Sequence, residues 1–188
     1  MNIKIGSRDM DILYDLFFFK TMTIAQIKRT HFYVDCKKYY RRRVRALENN
    51  GYIQSCECRH KRKRGFFLVY SLTKKGFEVV MGAKGVVPKQ CQLMSQSVKH
   101  DLVLVDLAHK IKSSPNVSNY FSENSIQAFF GTDFSTFIGC AYINKSDACF
   151  ELLVGAKKLQ VIFEYERTPK VYSDYQKKLE GYYTSNKF

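Results

Sequence analysis

The chain of 188 residues contains no tryptophan and only three prolines, and its 17 acidic residues are outnumbered by 31 Lys and Arg. Scarce proline, with ten glycines scattered through the chain, excludes collagen-like and proline-rich low-complexity sequences. Long hydrophobic runs are missing as well. The longest apolar cluster, residues 12–19, is interrupted by Asp15 and is too short to cross a bilayer. The opening MNIKIGSRDM lacks the apolar core of a secretory signal. No CxxC pair occurs among Cys36, Cys56, Cys58, Cys91, Cys140 and Cys149, which read as reduced thiols packing like small hydrophobes. Together these absences predict a cytoplasmic chain with no membrane partner. What is present, 45% hydrophobic and 26% charged residues, is ordinary globular composition.

The net charge of +14 is unevenly placed. Residues 1–81 hold 18 Lys and Arg against 7 Asp and Glu, whereas residues 82–188 hold 13 against 10. A basic module joined to a near-neutral one is expected from such an asymmetry. Gly82, Gly85 and Pro88 mark the join. The expected division is 1–82, a linker over 83–97, and 98–188.

Helical spacing of Met10, Leu13, Leu16 and Phe17 predicts a first helix over residues 9–20. Phe17, Phe18 and Phe19 supply more aromatic surface than a small core needs, so part of it is expected in an interface. Thr23 is the natural cap of a second helix over 24–31, and Asp35 of a third over 36–49, which Asn50-Gly51 ends. The third helix is the most informative. Cys36, Tyr40, Val44 and Leu47 form its apolar stripe, with Arg43 nearest to them. Lys38, Arg41, Arg42 and Arg45 project from the other side, with Lys37 on the flank. Two β-rich stretches, 52–58 and 65–72, then enclose a turn of Arg59, His60, Lys61, Arg62, Lys63 and Arg64. Thr73 caps a fourth helix over 74–81.

Three helices, the third basic, followed by a hairpin with a basic tip compose a winged helix-turn-helix. A helix of this kind fits the major groove, and a basic wing tip can follow the adjacent backbone. The predicted DNA-binding residues are therefore Lys37, Lys38, Arg41, Arg42, Arg45, Arg59, Lys61, Arg62, Lys63 and Arg64. The partner expected is double-stranded DNA, read by a homodimer because one winged helix covers only a short half-site. A basic patch does not by itself distinguish RNA from DNA. Cys56, Cys58 and His60 share one strand face, but a fourth zinc ligand is missing.

The second half predicts a helix over 98–112, strands over 118–122, 135–143, 148–154 and 159–165, and a final helix over 171–183 with Tyr172, Tyr175, Leu179 and Tyr182 or Tyr183 on one face. The fold class expected is α+β, a winged helix-turn-helix followed by a small α/β nuclease-like domain. Glu123, Asp147, Glu164 and Glu166 are the weak catalytic candidates. Asp147 followed by Glu-x-Glu is similar to the metal-binding half of a PD-(D/E)XK motif, in which a Lys would stand where this chain has Glu166. Mg²⁺ is expected only if that carboxylate cluster is active, and no other cofactor is. Catalysis needs a cation near the attacked phosphate, so the domain is expected to be degenerate, weak or inactive as an enzyme.

The whole layout resembles the replication-relaxation family. The matching pieces are YSLTKKGFEVV at 70–80, HDLVLVDLAHKI from His100, SEN at 122–124, SDACFEL at 146–152, FEYERT at 163–168 and the later KLEGYY. Ser146 and Glu166 depart from the family's pattern. The resemblance implies a DNA-binding protein of a plasmid or other mobile element, acting in replication, mobilisation or transcription control. The competing expectation is a metal-dependent nuclease or nicking accessory.

Overall fold

The computed structural model describes residues 3–32, 39–59, 65–85, 91–129, 136–143, 145–166 and 171–185. It is an α+β protein that divides into two compact units, one made of Met1–Val87 with Gln92–Asp106, the other of Pro88–Cys91 with Leu107–Phe188. The start of the helix expected over 98–112 therefore counts with the first unit.

The first unit runs α1 (Ser7–Phe19), β1 (Met22–Thr23), α2 (Ile24–His31), α3 (Tyr39–Asn49), β2 (Ile53–Arg59), β3 (Phe66–Leu72) and α4 (Lys74–Lys84), followed by the first residues of α5 (Val98–Lys112). Its antiparallel sheet has the order β1-β3-β2. Ile12, Leu13, Leu16 and Phe17 of α1 belong to the buried core with Ile27, Val44, Leu47, Ile53, Val69, Leu72 and Val80. Phe17 and Phe19 are both buried, and the Phe17 ring lies 6.1 Å from that of Phe77. The aromatic run at the end of α1 thus supplies core.

Local chemistry sets the boundaries. The Gln26 amide donates to Thr23 Oγ1 at 3.2 Å. In return, the Thr23 amide donates to Gln26 Oε1 at 2.9 Å. The two bonds make a reciprocal cap at the start of α2. The other end of the same side chain reaches α5: Gln26 Nε2 donates to the Leu102 carbonyl at 2.8 Å and to Asp106 Oδ1 at 2.9 Å. Thr73 Oγ1 accepts from the Gly76 amide at 3.1 Å, opening α4 in the same way. Gly76 cannot carry a side chain without displacement, since a Cβ there would lie 2.0 Å from the Tyr52 carbonyl oxygen.

The second unit runs through the rest of α5, β4 (Val117–Ser122), α6 (Glu123–Phe129), α7 (Thr136–Ile143), β5 (Ala148–Val154), β6 (Lys157–Phe163) and α8 (Tyr172–Ser185). Its sheet has the order β4-β5-β6, antiparallel at both joins among the described residues. Ile126, Ile138, Ala141 and Cys149 form its buried centre, with Phe121 and Tyr142 packed against them. Three expectations are corrected here. The strand expected over 135–143 is helix α7, because Ile138 and Ala141 reach the core at a helical spacing that an apolar stretch does not reveal by itself. Helix α6 has no counterpart among the expected elements. The strand expected over 159–165 ends at Phe163, so Glu164 and Glu166 follow it and do not share a strand face.

Candidate nucleic-acid interface

Helix α3 sorts its arginines by what they touch. Arg41, Arg42 and Arg45 are exposed, and among the described residues no ion pair engages them. Arg43 is turned inward. Its Nε donates to Asp9 Oδ1 at 2.7 Å, one Nη donates to the other Asp9 oxygen, and the same Nη reaches the Lys4 carbonyl at 2.8 Å. Burial would push the Asp9 carboxyl up, but the Arg43 hydrogen bonds, the Gly6 amide and the charges of Arg43 and Arg8 outweigh it and hold the carboxyl below the usual range. The bond to Asp9 raises the Arg43 guanidinium in turn, against its own burial. Three cations of the helix thus face outward while the fourth ties α3 to α1.

An aromatic group at the start of α3 adds to what the charge pattern shows. The Phe32 ring lies 6.1 Å from Tyr39 and 6.2 Å from Tyr40. Cations gather over these rings, where the π faces attract them. Arg8 stands over Phe32 at 5.2 Å, and Lys28 stands over Tyr40 at 5.4 Å. Arg41 lies over Tyr40 and Arg42 over Tyr39, each at 5.8 Å. Arg41 Nε also donates to the Tyr40 hydroxyl at 3.1 Å. Rings under the guanidinium groups restrict long side chains that would otherwise be mobile, and α1 and α2 contribute cations that reading α3 alone omits. The signal available in the sequence is Phe32 and the Tyr39-Tyr40 pair.

The hairpin of β2 and β3 is in register along its full length, from Ile53 opposite Leu72 to Arg59 opposite Phe66. Arg59 is exposed at its outer end. Phe66 and Leu68 are exposed on the same face as Arg59, an apolar feature at the outer end of the hairpin that charge counting misses. Lys37, Lys38, His60, Lys61, Arg62, Lys63 and Arg64 lie outside the described residues.

The carboxylates of the second unit have protein partners. Asp147 Oδ2 accepts from the Tyr165 amide at 2.6 Å, and the Glu123 amide donates to the Asp147 carbonyl at 2.8 Å. Glu164 receives Lys178 Nζ at 2.7 Å on one oxygen and the Tyr182 hydroxyl on the other. Tyr182 is bonded in turn to Ser146 Oγ at 2.8 Å. Burial first, then the Glu164 carboxylate, push the Tyr182 phenol up. Lys178 and Tyr182 stand one turn apart on α8, which is why both reach Glu164. Sequence reasoning singles out neither for this role, although Lys178 puts a cation beside the acidic group that position 166 does not supply. Among the described residues no three His, Cys, Asp or Glu converge to hold an ion.

Among the described residues no helix is long and apolar enough to cross a membrane. No protein-family model, no curated protein and no solved structure matches the chain.

Proposed function

We propose that the first unit is a winged helix-turn-helix that binds double-stranded DNA, with α3 in the major groove and the β2–β3 hairpin against the flanking backbone. The observation that carries this reading is the sorting on α3. Arg41, Arg42 and Arg45 stay outward on a helix whose fourth arginine, Arg43, is held by the buried Asp9. A face kept basic only for solubility would mix signs. Guanidinium groups can pair with guanine edges or with phosphates, and Arg59 continues the positive surface onto the hairpin.

The reading extends to a homodimer on two half-sites. The resemblance to the replication-relaxation family adds a mobile-element setting, in replication, mobilisation or transcription control. The second unit then serves assembly and does not cut, because the oxygens of Glu164 are engaged by Lys178 and Tyr182. The test is fluorescence anisotropy with duplex DNA, single-stranded DNA and duplex RNA over a salt series. Duplex DNA should bind best, with log K falling steeply against log salt, by about 0.9 for each phosphate contacted. Equal affinity for RNA, or a slope near zero, would overturn the DNA reading. Incubation with supercoiled DNA in Mg²⁺ or Mn²⁺ should leave it intact, and cleavage abolished by Asp147→Ala with Glu164→Ala would restore the nuclease.

A further inference from the structure

Helix α8 carries two faces with different chemistry. Lys178 and Tyr182 turn inward to Glu164 and Ser146. The adjoining face is apolar and open: Tyr172 is 80% exposed, Tyr183 75%, Leu179 57% and Tyr175 38%, with Val171 just before the helix at 71%. Positions 172, 175, 179 and 183 recur at intervals of three and four, so they form one continuous stripe along the helix. Isolated exposed apolar residues need no explanation, but a contiguous stripe of this size does.

We infer that this stripe is the surface on which a second copy of the chain docks, the two α8 helices packing antiparallel about a twofold axis. The inference deepens the dimer of the preceding reading by naming its contact. Area supports a second copy as the occupant. A large aromatic side chain buries ~150–250 Å² when it is fully covered. Three tyrosines, a leucine and a valine from each copy, most of them more than half exposed, bring the pair to the lower edge of specific interfaces. Charge supports it too. The chain carries +14, so self-association requires a surface without cations, and the stripe has none. Asp174 and Glu180 balance Lys177 and Lys178 within α8, whereas a contact through α3 would bring arginines against arginines. Antiparallel pairing centred at position 177 sets Tyr175 of each copy against Leu179 of the other, and Val171 against Tyr183. Tyrosine, which dominates the stripe, is a type enriched where interfaces concentrate their energy.

The test is sedimentation of the full chain without DNA, across roughly 1–100 µM, where an interface of this size should dissociate. Because no DNA is present, the outcome stands whether or not the first unit binds duplex. Wild type should shift from monomer to dimer over that range. Leu179→Glu and Tyr183→Glu should each raise the dissociation constant by ~30-fold or more, with unchanged circular dichroism, because both side chains face solvent in the monomer. Tyr172→Ser, which adds no charge, should weaken the dimer in the same direction. A wild type that stays monomeric throughout, or folded variants that dimerise as well as wild type, would overturn the inference.

Discussion

Replacing Arg43 by Ala separates the structural arginine of α3 from its outward neighbours. The Asp9 side chain is 4% exposed and that of Arg43 is 23% exposed, so the pair lies beneath the surface and removing one partner leaves a buried carboxylate. Breaking a fully buried pair costs ~3–5 kcal/mol. Asp9 keeps the Gly6 amide at 2.8 Å, and Arg43 is partly screened. The expected loss is therefore about 2–3 kcal/mol. For a unit of this size that lowers Tm by ~10–20 °C. The pH dependence has a definite sign. The Asp9 carboxyl is held low in the folded state, so its contribution is present above the unfolded value near ~3.9 and fades as pH falls through the folded one. The difference between wild type and Arg43→Ala should therefore shrink in acid as Asp9 protonates. Thermal melts at neutral and acid pH measure this, and anisotropy on the folded variant measures DNA affinity, which should stay within a few-fold of wild type. A variant as stable as wild type that no longer binds DNA would refute the reasoning and make Arg43 a DNA contact.

Replacing Arg41 and Arg45 together by Ala should do the opposite: Tm stays nearly unchanged, while affinity falls and the salt slope loses about 0.9 for each phosphate contact removed. Gly76→Ala should cost more than ~2 kcal/mol in urea unfolding, because the added Cβ meets a backbone carbonyl that cannot swing aside. Burial pushes the Cys149 thiol up to about 12, whereas Cys56 is exposed. A disulfide reagent at mildly alkaline pH should therefore modify Cys56 rapidly and Cys149 only on unfolding. Burial, with Glu164 beside Tyr182 and Asp147 near Tyr120, pushes both phenols up. Phenolate absorbance should show these two ionising after the other tyrosines, and stability should decline as pH rises above ~10, where the unfolded phenols ionise first.

Features written in local sequence are legible in the residues themselves. The caps Thr23 and Thr73, the paired β-rich stretches and the strand Ala148–Val154 follow from residue types within a few positions of one another. The inward lean of Arg43 is legible as well, since it stands nearest the apolar stripe of α3. Its partner is not, because Asp9 lies 34 positions away. Helix α7 reads as a strand because an almost wholly apolar segment has no polar face to reveal its period. Tyr172, Tyr175 and Tyr183 fall with Leu179 on one helical face as expected, but periodicity does not say whether a face meets its own core or stays open. The outcome depends on Lys178 and Tyr182 turning the adjoining side of the helix toward Glu164.

Gln26 has a consequence for the chemical ageing of the protein. Seen from α2 alone, the third residue after a Thr cap tolerates Glu as readily as Gln, since either can accept from the cap's amide. The amide nitrogen of Gln26 removes that freedom, because it donates to the Leu102 carbonyl and to Asp106. Hydrolysis of this single side-chain amide would turn the donor into oxygen, setting a carboxylate against a carbonyl at 2.8 Å and against a second carboxylate at 2.9 Å. Neither contact is then a hydrogen bond, and the paired carboxylates repel. Arg29, 2.5 Å from Asp106, would be left to neutralise two negative groups in place of one. A protein stored long enough to deamidate there would keep the cap of α2 and lose that helix's hold on α5.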